Sequence, residues 1–346
     1  MPALAKRPTI DELARVAGVS VATVDRVLNR RLPVRPETAR RVFEAANRIG
    51  FHATGLIGQR LREDLPEVKL GFLLLKAGQQ FYSEFARELE RAALAVSSHR
   101  CLCTVDFAGS QAPDEVLSRV EALSRRAQAL AVVAPEHPSL TALVESLKAR
   151  GVPVFALLSD FAAGVRHAYV GLDNGKSGRT AAWTIANCAP QPGKVALFVG
   201  SHRFHGHELR EIAFRSYFRE RAPEFTVLDT LVNLETRQLT HDALVDLQAR
   251  HPDLVGAYVA GGGMEGAISA LRAMPPETRP VAVCHEITPE SRAALAETLL
   301  TMIIATPLAR LCAELVNQMV HAVSNPETAS PSQVFLPFDV FLPENV

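Results

Sequence analysis

The 346-residue chain carries 37 Lys and Arg against 37 Asp and Glu, so it is formally neutral, and 48% of its residues are hydrophobic. That length supports more than one core. It opens on no hydrophobic signal segment and holds no uncharged apolar span of membrane length, which argues against a membrane protein and for the cytoplasm. The five cysteines, Cys101, Cys103, Cys188, Cys284 and Cys312, are odd in number and lack zinc-ribbon spacing, so they read as reduced core residues.

The neutrality is unevenly distributed. Residues 1–62 hold 12 Lys or Arg and 5 Asp or Glu, a balance of +7, which leaves 25 against 32, or −7, for the remainder. A basic head on an acidic body is the asymmetry of a nucleic-acid-binding module joined to something else.

Within that head, Ile10, Leu13, Ala14 and Ala17 recur at helical spacing, and Gly18 supplies a tight turn. Ser20 can then cap a second helix whose apolar side is Val24, Val27 and Leu28. Val21, Ala22 and Thr23 project outward with Asp25 and Arg26, where a recognition helix meets base edges and phosphates. An ordinary helical hairpin would show the same apolar spacing; the positive charge favours the helix-turn-helix.

The run from Thr9 through Asn29, followed by Val34–Val42 and by Ala45–Phe51, resembles the LacI/GalR family of transcriptional regulators. The resemblance implies a three-helix headpiece over residues 1–52 and a sugar-type sensor domain, acting as a homodimer on palindromic double-stranded DNA. It makes Val21 and Ala22 the residues that choose the operator. It gives Thr23, Asn29 and Thr38 phosphate contacts, counts Thr9 and Ser20 among the DNA-binding residues, and has Arg26 read a base. Asp25 departs from the family, which carries Ser there; a carboxylate facing phosphate must accept from a cytosine amino group or pair with Arg26 or Arg30.

Residues 53–67 are polar and glycine-containing and end at Pro66, which reads as an interdomain linker. By the resemblance they fold into a hinge helix on the operator, with Leu61, or secondarily Leu56, wedged into the minor groove. Gly55 and Gly58 each weaken a helix by about 1 kcal/mol, so folding of the hinge is expected to depend on DNA.

From Val68 the pattern alternates. Strands are expected at 70–75, 102–107, 129–134 and 152–158, with amphipathic stretches such as 85–96 and 140–149 between them. A second series follows from Ala168, with strands at 194–199, 225–232, 254–260 and 280–284. The fold class is therefore α/β: a small helical headpiece, then two doubly wound lobes with a ligand cleft at their strand ends. The body, 68–346, resembles the periplasmic sugar-binding proteins, which places lobe 1 at about 68–170 and 304–329 and lobe 2 at about 171–303 and 330–346. Crossings are expected near Gly171, near Ile304 and near residue 330.

The same resemblance assigns cleft residues. Phe81 and Tyr82 sit where aromatics stack on a sugar ring, though both could equally be core. Asp160 sits where a carboxylate accepts sugar hydroxyls. Arg210 takes the place of an arginine whose fork bonds ring and hydroxyl oxygens, and His285 and Glu286 follow a strand where the family presents an acid. Gly261–Gly266 replaces the usual Asn-Asp pair, so that either Glu265 substitutes as the acceptor or the segment approaches the ligand through backbone groups, and Ala305 stands where a Gln is common.

Two other readings compete. Gly261, Gly263 and Gly266 match G-x-G-x-x-G with Glu286 twenty residues beyond, as in a dinucleotide site, although close backbone packing explains glycines as well. His202, His205, His207 and Glu208 could ligate zinc, but imidazoles lining a polar cleft need no metal, and His207 then touches effector instead. No nucleophile stands with a partner base and an oxyanion site, so neither enzyme function nor a cofactor is expected. The resulting expectation is a ligand-responsive transcription factor, a repressor of carbohydrate-related genes, rather than a transport-type binding protein.

Overall fold

A computed structural model describes residues 7–29, 32–63, 65–326 and 332–346. The chain divides into two compact units, one holding the N-terminal helices through Val68 with Leu94–Cys101, the other the remainder.

The headpiece is built from α1 (Ile10–Ala17), α2 (Val21–Asn29), α3 (Pro36–Ile49) and α4 (Thr54–Glu63). Thr9 Oγ1 accepts from the Glu12 amide at the start of α1, and Ser20 Oγ accepts from Thr23 N at the start of α2. Gly18 ends α1 at φ +64°, and Arg41 donates to the carbonyls of Ala17 (2.8 Å) and Gly18 (3.2 Å), closing that helix end with a cation. Leu13, Ala14, Ala17, Val24, Val27, Leu28, Val42, Ala45 and Ala46 form one core, as their spacing indicates. Ile10 does not join them; it is exposed.

The linker expectation needs correcting. Residues 54–63 form a helix whose Ile57 is wholly buried in the headpiece core, so the headpiece extends through α4. Gly58 makes this possible, because a Cβ there would stand 2.8 Å from the Phe43 ring.

Lobe 1 runs β1 (Glu67–Leu75), α5 (Gln80–Ala95), β2 (Arg100–Ala108), α6 (Pro113–Ser124), β3 (Ala129–Val132), α7 (Pro138–Ala149), β4 (Val154–Leu157) and β5 (Ala168–Leu172). Lobe 2 follows with α8 (Asn174–Cys188), β6 (Lys194–Val199), α9 (His205–Arg221), β7 (Thr226–Val227), β8 (Leu231–Val232) and α10 (Arg237–Arg250). It continues with β9 (Leu254–Val259), α11 (Met264–Ala273), β10 (Val281–His285), α12 (Pro289–Ala296) and β11 (Met302–Ala305). The chain then returns through α13 (Leu308–Ser324) and β12 (Ser332–Leu336) before β13 (Asp339–Phe341).

Two sheets result, ordered β12-β5-β4-β3-β1-β2 and β13-β11-β10-β9-β6-β7, with β8 also on β6. Every residue of β3, β4 and β5 is buried, as expected of parallel strands covered on both faces. In lobe 2 the two faces carry separate cores, one around Phe198, Leu244, Ile268 and Leu295, the other around Ile185, Phe214 and Tyr258.

The chain passes between the sheets three times, each later than expected. β5 belongs to lobe 1 through Leu172, and β11 to lobe 2 through Ala305. Residues around 330 lie outside the described residues, but β12 pairs parallel with β5 (Ser332 beside Ala168, Leu336 beside Leu172), so the third crossing falls at Pro337–Phe338. Among the described residues no helix is long and apolar enough to cross a membrane.

Candidate functional site

On the headpiece, α2 turns Val24, Val27 and Leu28 inward and leaves Val21, Ala22, Arg26 and Asn29 exposed, with Thr23 and Asp25 half-buried. Thr23 Oγ1 lies 2.9 Å from Ser20 Oγ. Asp25 has a partner the sequence reading did not consider: Asn29 Nδ2 donates to its carboxylate at 2.6 Å, one helical turn along. Arg30, the other pairing weighed for Asp25, lies outside the described residues. Thr38 sits half-buried in the first turn of α3. Leu61 is half-covered against the headpiece core, whereas Leu56 is the exposed leucine of α4, contrary to the expected order of the two.

In the body, the ends of both sheets meet around a cleft of about 740 Å³, counting the part open to solvent. Lobe 1 contributes Gln79, Phe81, Tyr82, Val133 and Ser159, and lobe 2 contributes His207, Arg210, Glu235, the Gly261–Glu265 turn, His285 and Glu286. Seven of the eight expected effector residues therefore line one space. The exception is Asp160. Its carboxylate is buried and clasped by Arg166, with Nη2 at 2.6 Å from Oδ2 and Nε on Oδ1, while Arg166 Nη1 donates to Ser332 O at 2.9 Å. Asp160 thus ties β4's following loop to the returning strand β12 and is not available as a ligand acceptor.

Arg210 is buried on α9, held by donating to Asn174 Oδ1 (2.7 Å) and to Ala260 O (2.6 Å); its Nη2 bonds no described residue. That leaves part of the fork for the cleft. His285 Nε2 lies 2.7 Å from Tyr258 Oη, and Nδ1 has no partner among the described residues. His207 Nδ1 makes no hydrogen bond of good geometry, although the Ser201 backbone lies close enough to favour the protonated ring slightly. Burial, reinforced by the nearby Arg210 charge, pushes the His207 imidazole down to about 3, and the same causes with His207 itself hold His285 well below the ordinary histidine range. Both rings are neutral at physiological pH.

Glu286, at φ +69°, accepts from Thr306 N (2.9 Å) and Thr306 Oγ1 (2.7 Å), and burial raises its carboxyl against those bonds. Tyr82 is buried, packed edge-on against Phe81 at 5.2 Å; burial, then Glu235 and Glu286, raise its phenol. It serves the core and the cleft wall at once.

One cleft residue escaped the sequence reading. Glu235 is buried in the irregular turn between β8 and α10, at φ +54° beside Leu234 at φ +49°. Lys76 Nζ, from lobe 1, donates to Leu234 O at 2.7 Å and stands 3.5 Å from Glu235 Oε2, while Gln79 Nε2 donates to Glu235 O at 3.2 Å. The ion pair lacks hydrogen-bond geometry, so Oε2 is buried without a bond. Further bonds between the lobes run from Glu136 N to Arg203 O (2.8 Å) and from Gly206 N to Ser159 Oγ (3.0 Å).

The glycine run is consumed by packing. A Cβ on Gly261 would come within 2.6 Å of the His207 ring, on Gly262 within 2.8 Å of Glu235 Cβ, and on Gly266 within 2.0 Å of Arg237 O. With Glu286 committed to Thr306, neither half of the dinucleotide reading is served. Nor do the histidines converge: His205 pairs with Glu208 at 3.2 Å and His202 with Glu211 at 3.8 Å, their side chains 45% and 62% exposed, and of this cluster only His207 reaches the cleft. No group of three potential metal ligands forms among the described residues.

Residues 9–53 match the model of bacterial regulatory proteins of the lacI family, and residues 70–327 match a periplasmic binding protein domain. The chain belongs to the lacI family. It is a DNA-binding transcriptional regulator. It is 24% identical over 267 residues to the regulator GalS of Salmonella typhimurium, covering 76% of this chain and 75% of that one. It is 23% identical over 250 residues to DegA of Bacillus subtilis, covering 70% and 71%. Against the catabolite control protein A of Priestia megaterium, identity reaches 35% over 89 residues, a quarter of each chain. In fold, the regulator's body is similar to a solute-binding protein of Agrobacterium vitis bound with alpha-D-tagatopyranose (TM-score 0.72, 19% identity, 81% of this chain and 96% of that). It is equally similar to one from Burkholderia graminis in complex with D-arabinose (0.73, 16%, 82% and 97%).

Proposed function

We propose that this regulator is a repressor of carbohydrate-related genes, which binds a palindromic operator as a homodimer through α2 and responds to a sugar or sugar derivative held between its lobes. The observation that carries the effector reading is the cleft itself. His285 Nδ1 and Glu235 Oε2 are buried there without hydrogen bonds to described residues. Each such orphan costs about 1–3 kcal/mol, a cost that a ligand rich in hydroxyls removes on binding. The sugar-bound fold neighbours and the regulator relatives support the same reading.

On this reading Val21, Ala22 and Arg26 read bases, Thr9, Ser20, Thr23, Asn29 and Thr38 hold phosphates, and Phe81, Tyr82, His207, Arg210, Glu265, His285 and Glu286 hold the effector. The effector is bound and released without turnover. Action on DNA puts the regulator in the cytoplasm. Coupling needs only about 1–3 kcal/mol between cleft closure and the headpiece to change operator occupancy 5- to 150-fold.

The test is a binding-site selection with the full chain, followed by gel shifts with and without a panel of sugars. A palindromic consensus whose occupancy one sugar alters is the expected result. Recovery of no sequence preference would overturn the headpiece assignment, and a preference that no sugar moves would overturn the effector assignment.

A further inference from the structure

If the cleft is the effector site, its charges specify the class of effector. Three carboxylates line it, Glu235, Glu265 and Glu286, against one cation, Arg210. Arg210 already spends Nε and Nη1 on Asn174 and Ala260, and Lys76, the next cation, stands behind Glu235 with its ammonium on Leu234 O and 3.5 Å from Glu235 Oε2, so counting it the carboxylates still outnumber the cations three to two. The two imidazoles add no charge. A helix N-terminus could still attract an anion. α11 begins in the cleft wall, but Glu265 occupies its first turn and Glu235 Oε1 stands 3.5 Å from Gly262 N, so its positive end is already faced by carboxylates. The start of α9 is similarly spent: Gly206 N donates to Ser159 Oγ, and Glu208 sits in its first turn.

We propose that the cleft takes a polyhydroxyl ligand without negative charge, and that Glu235 selects it, its buried Oε2 accepting a ligand hydroxyl while its charge repels a phosphate or carboxylate. This rests on the effector reading above and narrows it: phosphorylated sugars and sugar acids are excluded, neutral sugars and polyols admitted. Glu235 suits the role because Lys76 and Gln79 of the opposite lobe hold its backbone and carboxylate in place, so the acceptor is positioned only when the two lobes meet.

The experiment is calorimetry on the full chain with a panel of neutral aldoses and ketoses, D-arabinose and D-allose among them, each beside its terminal phosphate ester and its aldonic acid. The proposal expects one neutral sugar to bind and its phosphate and acid forms to bind at least tenfold more weakly. Glu235→Gln should weaken the neutral sugar about tenfold and narrow the gap to the phosphate. A phosphate or acid form that binds as tightly as the neutral parent overturns the proposal and leaves the effector reading standing. Binding by no form overturns both. The wild-type ratio decides even where the variant folds poorly.

Discussion

Acidification from pH 7 to pH 5 should destabilise the body through its two buried imidazoles. In the folded protein His207 is held down to about 3 by burial and Arg210, and His285 is depressed by the same environment. In the unfolded chain both titrate near 6.5. Below that value the unfolded state binds protons that the folded state refuses, so stability is complete above about pH 6.5 and falls as pH drops toward 3. For His207 the slope is about 1.4 kcal/mol per pH unit, or about 2 kcal/mol at pH 5, against a total domain stability of about 5–15 kcal/mol, and His285 acts in the same direction. For His207 the full span to about 3 corresponds to a ceiling of about 5 kcal/mol. Urea unfolding of wild type and His207→Asn at pH 7, 6 and 5 isolates this term, because the other titrating groups cancel in the difference. The wild-type curve should fall more steeply with acid by about 1.4 kcal/mol per unit. Parallel curves would refute the claim that His207 is buried neutral.

Other substitutions separate roles that the geometry assigns to neighbouring residues. Asp25→Ser frees the Asn29 amide and removes a negative charge from α2, so generic DNA affinity should rise and its log–log salt slope steepen by about one; an unchanged slope in a salt titration rejects this. Leu56→Ala should reduce operator bending in a circular-permutation gel shift, whereas Leu61→Ala should lower headpiece stability by about 1–2 kcal/mol with bending retained; the reverse pattern would restore Leu61 as the wedge. Arg210→Met should weaken effector binding at least tenfold by calorimetry, keep operator binding, and cost about 1–3 kcal/mol for each of the two acceptors it abandons; near-normal affinity in a folded variant places the ligand elsewhere. Asp160→Ala should cost about 3–5 kcal/mol in a melt by leaving Arg166 buried and unpaired, with effector affinity unaltered, and a selective loss of affinity would return Asp160 to the cleft.

The sequence made the parallel strands legible because burial on both faces demands an unbroken apolar run: β6 begins and ends where its pattern does, at Lys194 and Val199. The run 225–232 looked like one strand and forms two short ones. Arg215 explains the break, since its Nη2 reaches between them to Leu228 O (2.8 Å) and Thr230 Oγ1 (2.7 Å), taking an acceptor the ladder would otherwise use. Strand β12 was missed for the opposite reason. As an edge strand it keeps alternate residues exposed, and Ser332-Gln333-Val334 carries no buried-run signal.

The cleft was legible residue by residue where a motif marked the position, and illegible where only tertiary packing creates it. Glu235 follows Asn233 and Leu234 in a turn with no periodicity, and its partner Lys76 is 159 residues away. Nothing local distinguishes it from a solvated loop acid. Asp160 shows the converse: its place after β4 matched a ligand position, but Arg166, six residues on and itself donating to Ser332 O on the returning strand, captures it. A carboxylate in a loop is therefore assigned by which cation reaches it first. At Asp160 that cation forms a bidentate fork and leaves nothing for a ligand, while at Glu235 a single ammonium 3.5 Å from Oε2 leaves that oxygen without a hydrogen bond. The difference between a structural clasp and a binding acceptor in this cleft is thus the difference between an arginine and a lysine.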